Sequence, residues 1–219
     1  MDSSFKNREG SILRLGIIYL LWIGNSLSLA SSFEWEVQQG WNLLGSVLEE
    51  IPCENFHPGW VQIIWVFRSD DGGWKACSPE PEISRKLSEA NSPSFSKILP
   101  GEGFFLRAAR QGVLEIAGQL DDSQTLQTLP GSFASPWSLR ANPFVRTSLA
   151  DSQLPEDSLI LVLRSGTWYS FPAREGFQSL QPTSLQFGEG FFYFSTNSTG
   201  VLTSSAQGSI QFPTIGVLA

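Results

Sequence analysis

The sequence predicts an all-β protein made of two homologous antiparallel units, and three observations carry that expectation. A set of landmark residues occurs twice in the same order. Apolar residues alternate with polar ones along short runs rich in Val, Ile, Phe and Trp. Glycine, proline, aspartate and serine bound those runs, as strand ends require.

The repeat is the strongest of the three. Gly101-Glu102-Gly103-Phe104-Phe105 recurs as Gly188-Glu189-Gly190-Phe191-Phe192, and Trp41 precedes Arg68 by 27 residues just as Trp137 precedes Arg164. Between them Ile64-Trp65-Val66-Phe67-Arg68-Ser69 matches Ile160-Leu161-Val162-Leu163-Arg164-Ser165. After a two-residue deletion, Gly73-Trp74 aligns with Thr167-Trp168. Repeat one is therefore read as 33–118, a polar linker as 119–128, repeat two as 129–208, and a tail as 209–219.

Within the repeats, Phe33, Trp35 and Val37 alternate with polar residues, and Val61, Ile63, Trp65 and Phe67 form a second period-two run. Asp70-Asp71-Gly72-Gly73 and Ser165-Gly166 separate strand-like runs and read as hairpin turns. Leu99-Pro100-Gly101-Glu102 fits a type II turn, with Pro at i+1 and Gly at i+2. Short helices are allowed only at 83–90 and at its counterpart 173–180. Strands at this spacing suit a sandwich or a barrel. Two small domains and one pseudo-two-fold domain both fit. A lone unit of about 75 residues buries a marginal core, which favours packed halves.

The first thirty residues read as an export address. Lys6, Arg8 and Arg14 precede the apolar run Leu15–Gly24, and Ser28-Leu29-Ala30 supplies small residues at the −3 and −1 positions. The run has about ten residues where roughly twenty span a bilayer, so a signal peptide cleaved after Ala30 is expected, with no membrane span in the mature chain. The net charge of −7 and the lack of any Lys/Arg cluster beyond Arg85-Lys86 argue against nucleic acid as a partner. Cys53 and Cys77, the only cysteines, align with Leu149 and Phe171 in repeat two. Apolar replacement of both points to neighbouring buried positions, and so to a disulfide in an exported chain.

A search for chemistry finds little. His57 is the single histidine, in Asn55-Phe56-His57-Pro58-Gly59-Trp60, and its position in repeat two is Gln153. No nucleophile elbow, phosphate loop or closed metal-ligand set accompanies it, and no cofactor is expected. Glu102 and Glu189 are the carboxylates kept by both repeats. They read either as acceptors of turn N–H groups or as an acid/base pair brought together across a two-fold axis. Trp41, Trp74, Trp137 and Trp168 recur and read as core. Trp60 aligns with Glu156 and sits in a loop beside Phe56 and His57, so these three are the candidate contact residues for a partner.

Gly40-Trp41-Asn42-Leu43-Leu44-Gly45, Pro100-Gly101-Glu102-Gly103-Phe104-Phe105 and Trp137-Ser138-Leu139-Arg140-Ala141-Asn142-Pro143 together resemble a tandem β repeat of exported bacterial proteins, often written W-x-L-x-A-N-P. Repeat two departs from the pattern with Phe187 in place of Pro100. The resemblance implies an exported bacterial module and carries no activity or catalytic residue. The leading expectation is a non-catalytic binding or structural module acting on a protein or glycan at the cell surface. A carbohydrate-binding module using loop aromatics is the second reading, and a hydrolase using Glu102 and Glu189 the third.

Overall fold

A computed structural model describes residues 32–57, 59–68, 73–120, 126–129, 136–144, 146–181, 183–196 and 200–203. The export segment 1–30, the Asp70-Asp71-Gly72 turn and the tail 209–219 lie outside the described residues. The first half holds β1 (Ser32–Val37), β2 (Gly40–Gly45), β3 (Ile51–Pro52), β4 (Val61–Arg68), β5 (Gly73–Cys77), α1 (Pro81–Glu89), β6 (Lys97–Ile98), β7 (Gly103–Ala108) and β8 (Gly112–Ala117). The second holds β9 (Leu126–Leu129), β10 (Trp137–Ala141), β11 (Arg146–Ser148), β12 (Leu159–Arg164), β13 (Thr167–Phe171), β14 (Gln178–Ser179), β15 (Ser184–Gln186), β16 (Gly190–Phe194) and β17 (Gly200–Thr203). The all-β expectation holds, and strand order repeats between the halves: β2-β7-β4-β5 in one and β10-β16-β12-β13-β14 in the other. The segment read as linker gives way to strand at Leu126, where β9 pairs with β17 as β1 pairs with β8.

Each half has its own core between its main sheet and its two-stranded ladders, a sandwich-like arrangement. In the first half Trp35, Val37, Leu114 and Ile116 of the β1–β8 ladder meet Ile64, Val66, Phe104 and Leu106 of the main sheet. In the second, Leu149, Ile160, Val162, Phe191, Tyr193 and Leu202 do the same work. Strand β4 does not follow the simple alternation read from its sequence. A bulge between Val61 and Ile63 shifts the register, so Val61, Ile64 and Val66 are buried while Ile63, Trp65 and Phe67 turn to the other face. One extra residue on a strand reverses every side chain beyond it.

Turn chemistry agrees with the sequence. Gly101 has φ 70° and the Glu102 N–H donates to Leu99 O at 3.1 Å, closing the expected type II turn. Ser165 and Gly166 both have positive φ and link β12 directly to β13. The helix forms at 81–89 only. Pro81 occupies its first turn, and the pairs Glu82–Lys86 and Arg85–Glu89 run along it at i,i+4 spacing. The counterpart at 173–180 is a turn followed by β14, so the helix is an elaboration of the first repeat.

The halves join through reciprocal contacts. Gly45 N–H donates to Gly188 O at 2.9 Å, and its counterpart Ala141 N–H donates to Gly101 O at 3.0 Å. Leu44 bridges Glu189 and Arg140 bridges Glu102 in the same reciprocal way. When contact i–j is matched by its repeat-related partner, the interface is isologous, here about a pseudo-two-fold axis. The glycines permit this approach. A Cβ on Gly103 would lie 2.5 Å from Arg140 O, and one on Gly190 would lie 2.3 Å from Leu44 O. Gly190→Ala is therefore expected to lower the unfolding free energy by about 3 kcal/mol, because the obstacle is backbone that cannot rotate away; equilibrium urea unfolding of the oxidised protein measures it.

Cys53 and Cys77 form a disulfide with Cα atoms 6.4 Å apart. Leu149 and Phe171 stand at the equivalent places in the second core, so the replacement argument holds. Cys53→Ala with Cys77→Ala is expected to cost about 3 kcal/mol, the loop-entropy value for a bridge of this span, read from the same unfolding curves.

Candidate functional site

The carboxylates kept by both repeats are held in identical ion pairs. Arg68 donates Nε to Glu102 Oε1 at 2.7 Å and Nη2 to Oε2 at 2.9 Å, while Leu99 N–H donates to Oε2 at 2.9 Å. Arg164 grips Glu189 at 2.6 and 2.8 Å, and Gln186 N–H donates to Oε2 at 2.9 Å. Each arginine reaches one carbonyl more, Lys97 O or Ser184 O. These bonds to Glu189 raise the Arg164 guanidinium above its ordinary value, against the opposing effect of burial. A forked guanidinium matches a carboxylate in two parallel bonds, which locks the turn to the end of β4 or β12. Sequence comparison aligned Arg68 with Arg164 without giving either a role; their constant spacing from Trp41 and Trp137 was the available signal.

The loop candidates separate. Phe56 is fully buried in the first core, contrary to its reading as a contact residue. The 3-10 turn Cys53–Asn55, tied down by the disulfide, points the ring inward against Phe104 at 6.1 Å. His57 is exposed. Trp60 is half-buried against the same core, its Nε1 donates to Arg110 O at 3.2 Å, and the Arg110 guanidinium lies 4.7 Å from its ring. Trp60 thus serves as an anchor for the β7–β8 turn.

Two of the four tryptophans read as core stand at the surface instead, while Trp137 and Trp168 are half-buried. Trp41 is 46% exposed and Trp74 is 41% exposed. Both lie on the second face of the first sheet, with Phe105 and, beyond the bulge in β4, Trp65 and Phe67. The second half contributes Trp137, Trp168, Phe192 and Phe194. Phe105 and Phe192 meet with centroids 5.8 Å apart, and each also touches the tryptophan of the other half: Trp74–Phe192 and Phe105–Trp168 are both 6.2 Å. Trp41 continues the array from Phe105 at 6.4 Å, and Trp137 from Phe192 at 5.9 Å. These are the distances of favourable edge and tilted ring pairs. The result is one continuous, partly exposed aromatic face spanning both repeats, flooring over buried Leu43, Leu139 and Leu161.

A cleft of about 450 Å³ opens beside this face. Its walls are β1 and β2 on one side and the β12–β13 hairpin with the Gly188-Glu189 turn on the other, and Trp41 is part of its lining. A second cavity, of about 840 Å³, lies between α1 and the disulfide. Among the described residues no group of three His, Cys, Asp or Glu side chains is placed to hold a metal ion, and no helix is long and apolar enough to cross a membrane. No protein-family model matches the chain, and no curated protein and no solved structure shows significant similarity to it.

The geometry exchanges the stability roles of two residues. Phe56→Ala is expected to cost about 3–5 kcal/mol, as for a large ring removed from a packed core. Trp74→Ala, which surrenders only partly buried area, is expected to cost about 1–2 kcal/mol. Parallel denaturant titrations of the two variants check the order.

Proposed function

We propose that this chain is an exported, non-catalytic binding module that takes a protein partner on the aromatic face shared by its two repeats. The observation that supports this reading is the exposure of Trp41 and Trp74 within a continuous array of rings. Large apolar rings left at a surface lose free energy to water, and contiguous exposed apolar patches on soluble proteins mark interaction sites. Rigid aromatic side chains also give much contact area for little lost conformational freedom, which is why such residues dominate binding hot spots.

The same face is suited to stacking on sugar rings, so a carbohydrate ligand is the second reading, favoured by the succession of half-exposed rings. The hydrolase reading is weakened by the state of its two carboxylates. Each oxygen of Glu102 and Glu189 already accepts from a guanidinium or a turn N–H, which leaves little freedom for proton transfer.

Protein and glycan arrays probed with the full oxidised protein provide the test. Ligands recovered this way are expected to lose at least about tenfold in affinity to Trp41→Ala and to Trp74→Ala, the range of a typical hot spot, while His57→Ala leaves binding unchanged. Ligands that bind both tryptophan variants as tightly as the unaltered protein would place the contact surface elsewhere. A turnover abolished by Glu102→Gln would replace the binding reading with a catalytic one.

A further inference from the structure

We infer that the cleft between the repeats is the seat of a basic side chain, lysine or arginine, presented by an extended segment of the protein partner; this rests on the proposed binding function and names the chemistry of its partner. The cleft, about 450 Å³, falls within the size range of built binding sites. Its ionisable lining consists of three carboxylates, Glu34, Glu36 and Glu189, and one guanidinium, Arg164. Arg164 and Glu189 neutralise one another through two short hydrogen bonds. Glu34 and Glu36 are left to set the field.

Both project from the exposed face of β1, two residues apart and so about 7 Å from each other. Glu115 of β8 stands directly opposite Glu34. Like charges facing each other across a ladder are destabilising, yet among the described residues no ion pair engages Glu34, Glu36 or Glu115. The fold therefore holds carboxylates outside any described ion pair at the rim of a cleft, and a cation entering there relieves a repulsion already present.

Trp41 supplies the second half of the site. Its ring is 46% exposed and lines the same cleft. A cation is attracted to an aromatic face, and the methylene stem of lysine or arginine packs on the same ring while its head reaches a carboxylate. Arg107, the cross-strand neighbour of Trp41, lies outside the lining. A sugar hydroxyl can donate to a carboxylate, but only a cation also offsets the like-charge repulsion at this rim, so charge and ring together favour a basic peptide over a neutral sugar.

The probe is an octalysine peptide, titrated into the full oxidised protein with tryptophan fluorescence and the Trp41 indole N–H resonance as readouts. Binding that weakens with added salt is expected. Glu34→Gln with Glu36→Gln is expected to weaken it at least about fivefold and to flatten the salt dependence. Trp41→Ala is expected to weaken it by about the same factor with the salt dependence retained. The double glutamine variant should also melt slightly higher, since it removes the repulsion from Glu115, so weakened binding cannot be laid to unfolding. Octalysine binding that ignores Trp41→Ala is diffuse attraction to an acidic surface and overturns the proposal. So does Trp41-dependent binding of cellohexaose without binding of octalysine, which makes a glycan the occupant. An array partner that depends on Trp74 but not on Glu34 and Glu36 removes the cleft proposal and keeps the aromatic-face reading. Octalysine binding that needs Glu34, Glu36 and Trp41, with no array partner dependent on Trp74, keeps the cleft and removes that reading.

Discussion

Two backbone hydrogen bonds across the pseudo-two-fold axis, Gly45 N–H to Gly188 O and Ala141 N–H to Gly101 O, set the spacing on which the rest of the molecule depends. They bring each Gly-Glu-Gly turn onto the second strand of the other repeat, closely enough that any side chain there meets backbone. The first glycine of each turn takes a positive φ, 70° at Gly101 and 71° at Gly188, and the third position lies against a carbonyl of the opposite half. The glutamate between them is fastened to its own repeat by a forked arginine. One five-residue motif thus combines a turn, an ion pair and an axis contact. The W-x-L-x-A-N-P stretch supplies the complementary surface: Ala141 is the small residue at the crossing, and Asn142, fully buried, accepts from Thr147 and donates to the carbonyls of Phe144 and Gln186.

That junction explains why the aromatic face exists. The two main sheets meet at Gly45, Gly103, Ala141 and Gly190, so the residues next along β2, β7, β10 and β16 are forced toward each other on their second faces. Leu43 and Leu139 fill the space closest to the crossing, and Phe105 and Phe192 meet just beyond it. Further out the two sheets cover less of each ring, and Trp41 and Trp74 stand partly in water. The ring array is a consequence of joining two twisted sheets at one end, with the outermost rings free to contact something else.

Much of the scaffold was legible in the residues. Phe33-x-Trp35-x-Val37 read directly as a strand with one buried face, Pro100-Gly101 as a type II turn, and Ser165-Gly166 as a hairpin. The disulfide followed from comparing Cys53 and Cys77 with Leu149 and Phe171. The site was not legible, for two physical reasons. A bulge leaves no mark in the alternation of apolar residues, so Val61, Ile63, Trp65 and Phe67 looked like one face when the bulge divides them between two. Recurrence of Trp41 and Trp74 in both copies reads as burial, but an axis between the copies preserves the surface around itself as strictly as it preserves a core. Phe56 misled in the opposite direction, because its neighbours His57-Pro58-Gly59 are loop residues and the disulfide-anchored turn that buries it spans only three residues.

Symmetry constrains the residues on the axis and releases those away from it, and the differences between the repeats follow that division. The Gly-Glu-Gly turns, the Glu–Arg pairs and the phenylalanines that meet on the axis are the same in both halves, and Gly45 is matched by Ala141, the smallest residue with a side chain. At the periphery the match fails. The cross-strand neighbour of Trp137 is Phe194, whose ring lies 4.7 Å away and helps to cover it, whereas the neighbour of Trp41 is Arg107. One end of the array is therefore capped by its own repeat and the other is left open beside the cleft that Glu34 and Glu36 line. A duplicated fold with two identical rims would offer two equivalent sites. Among the described residues the rim at Trp41 therefore differs from the rim at Trp137, with an exposed ring on its floor and the Glu34 and Glu36 carboxylates at its edge.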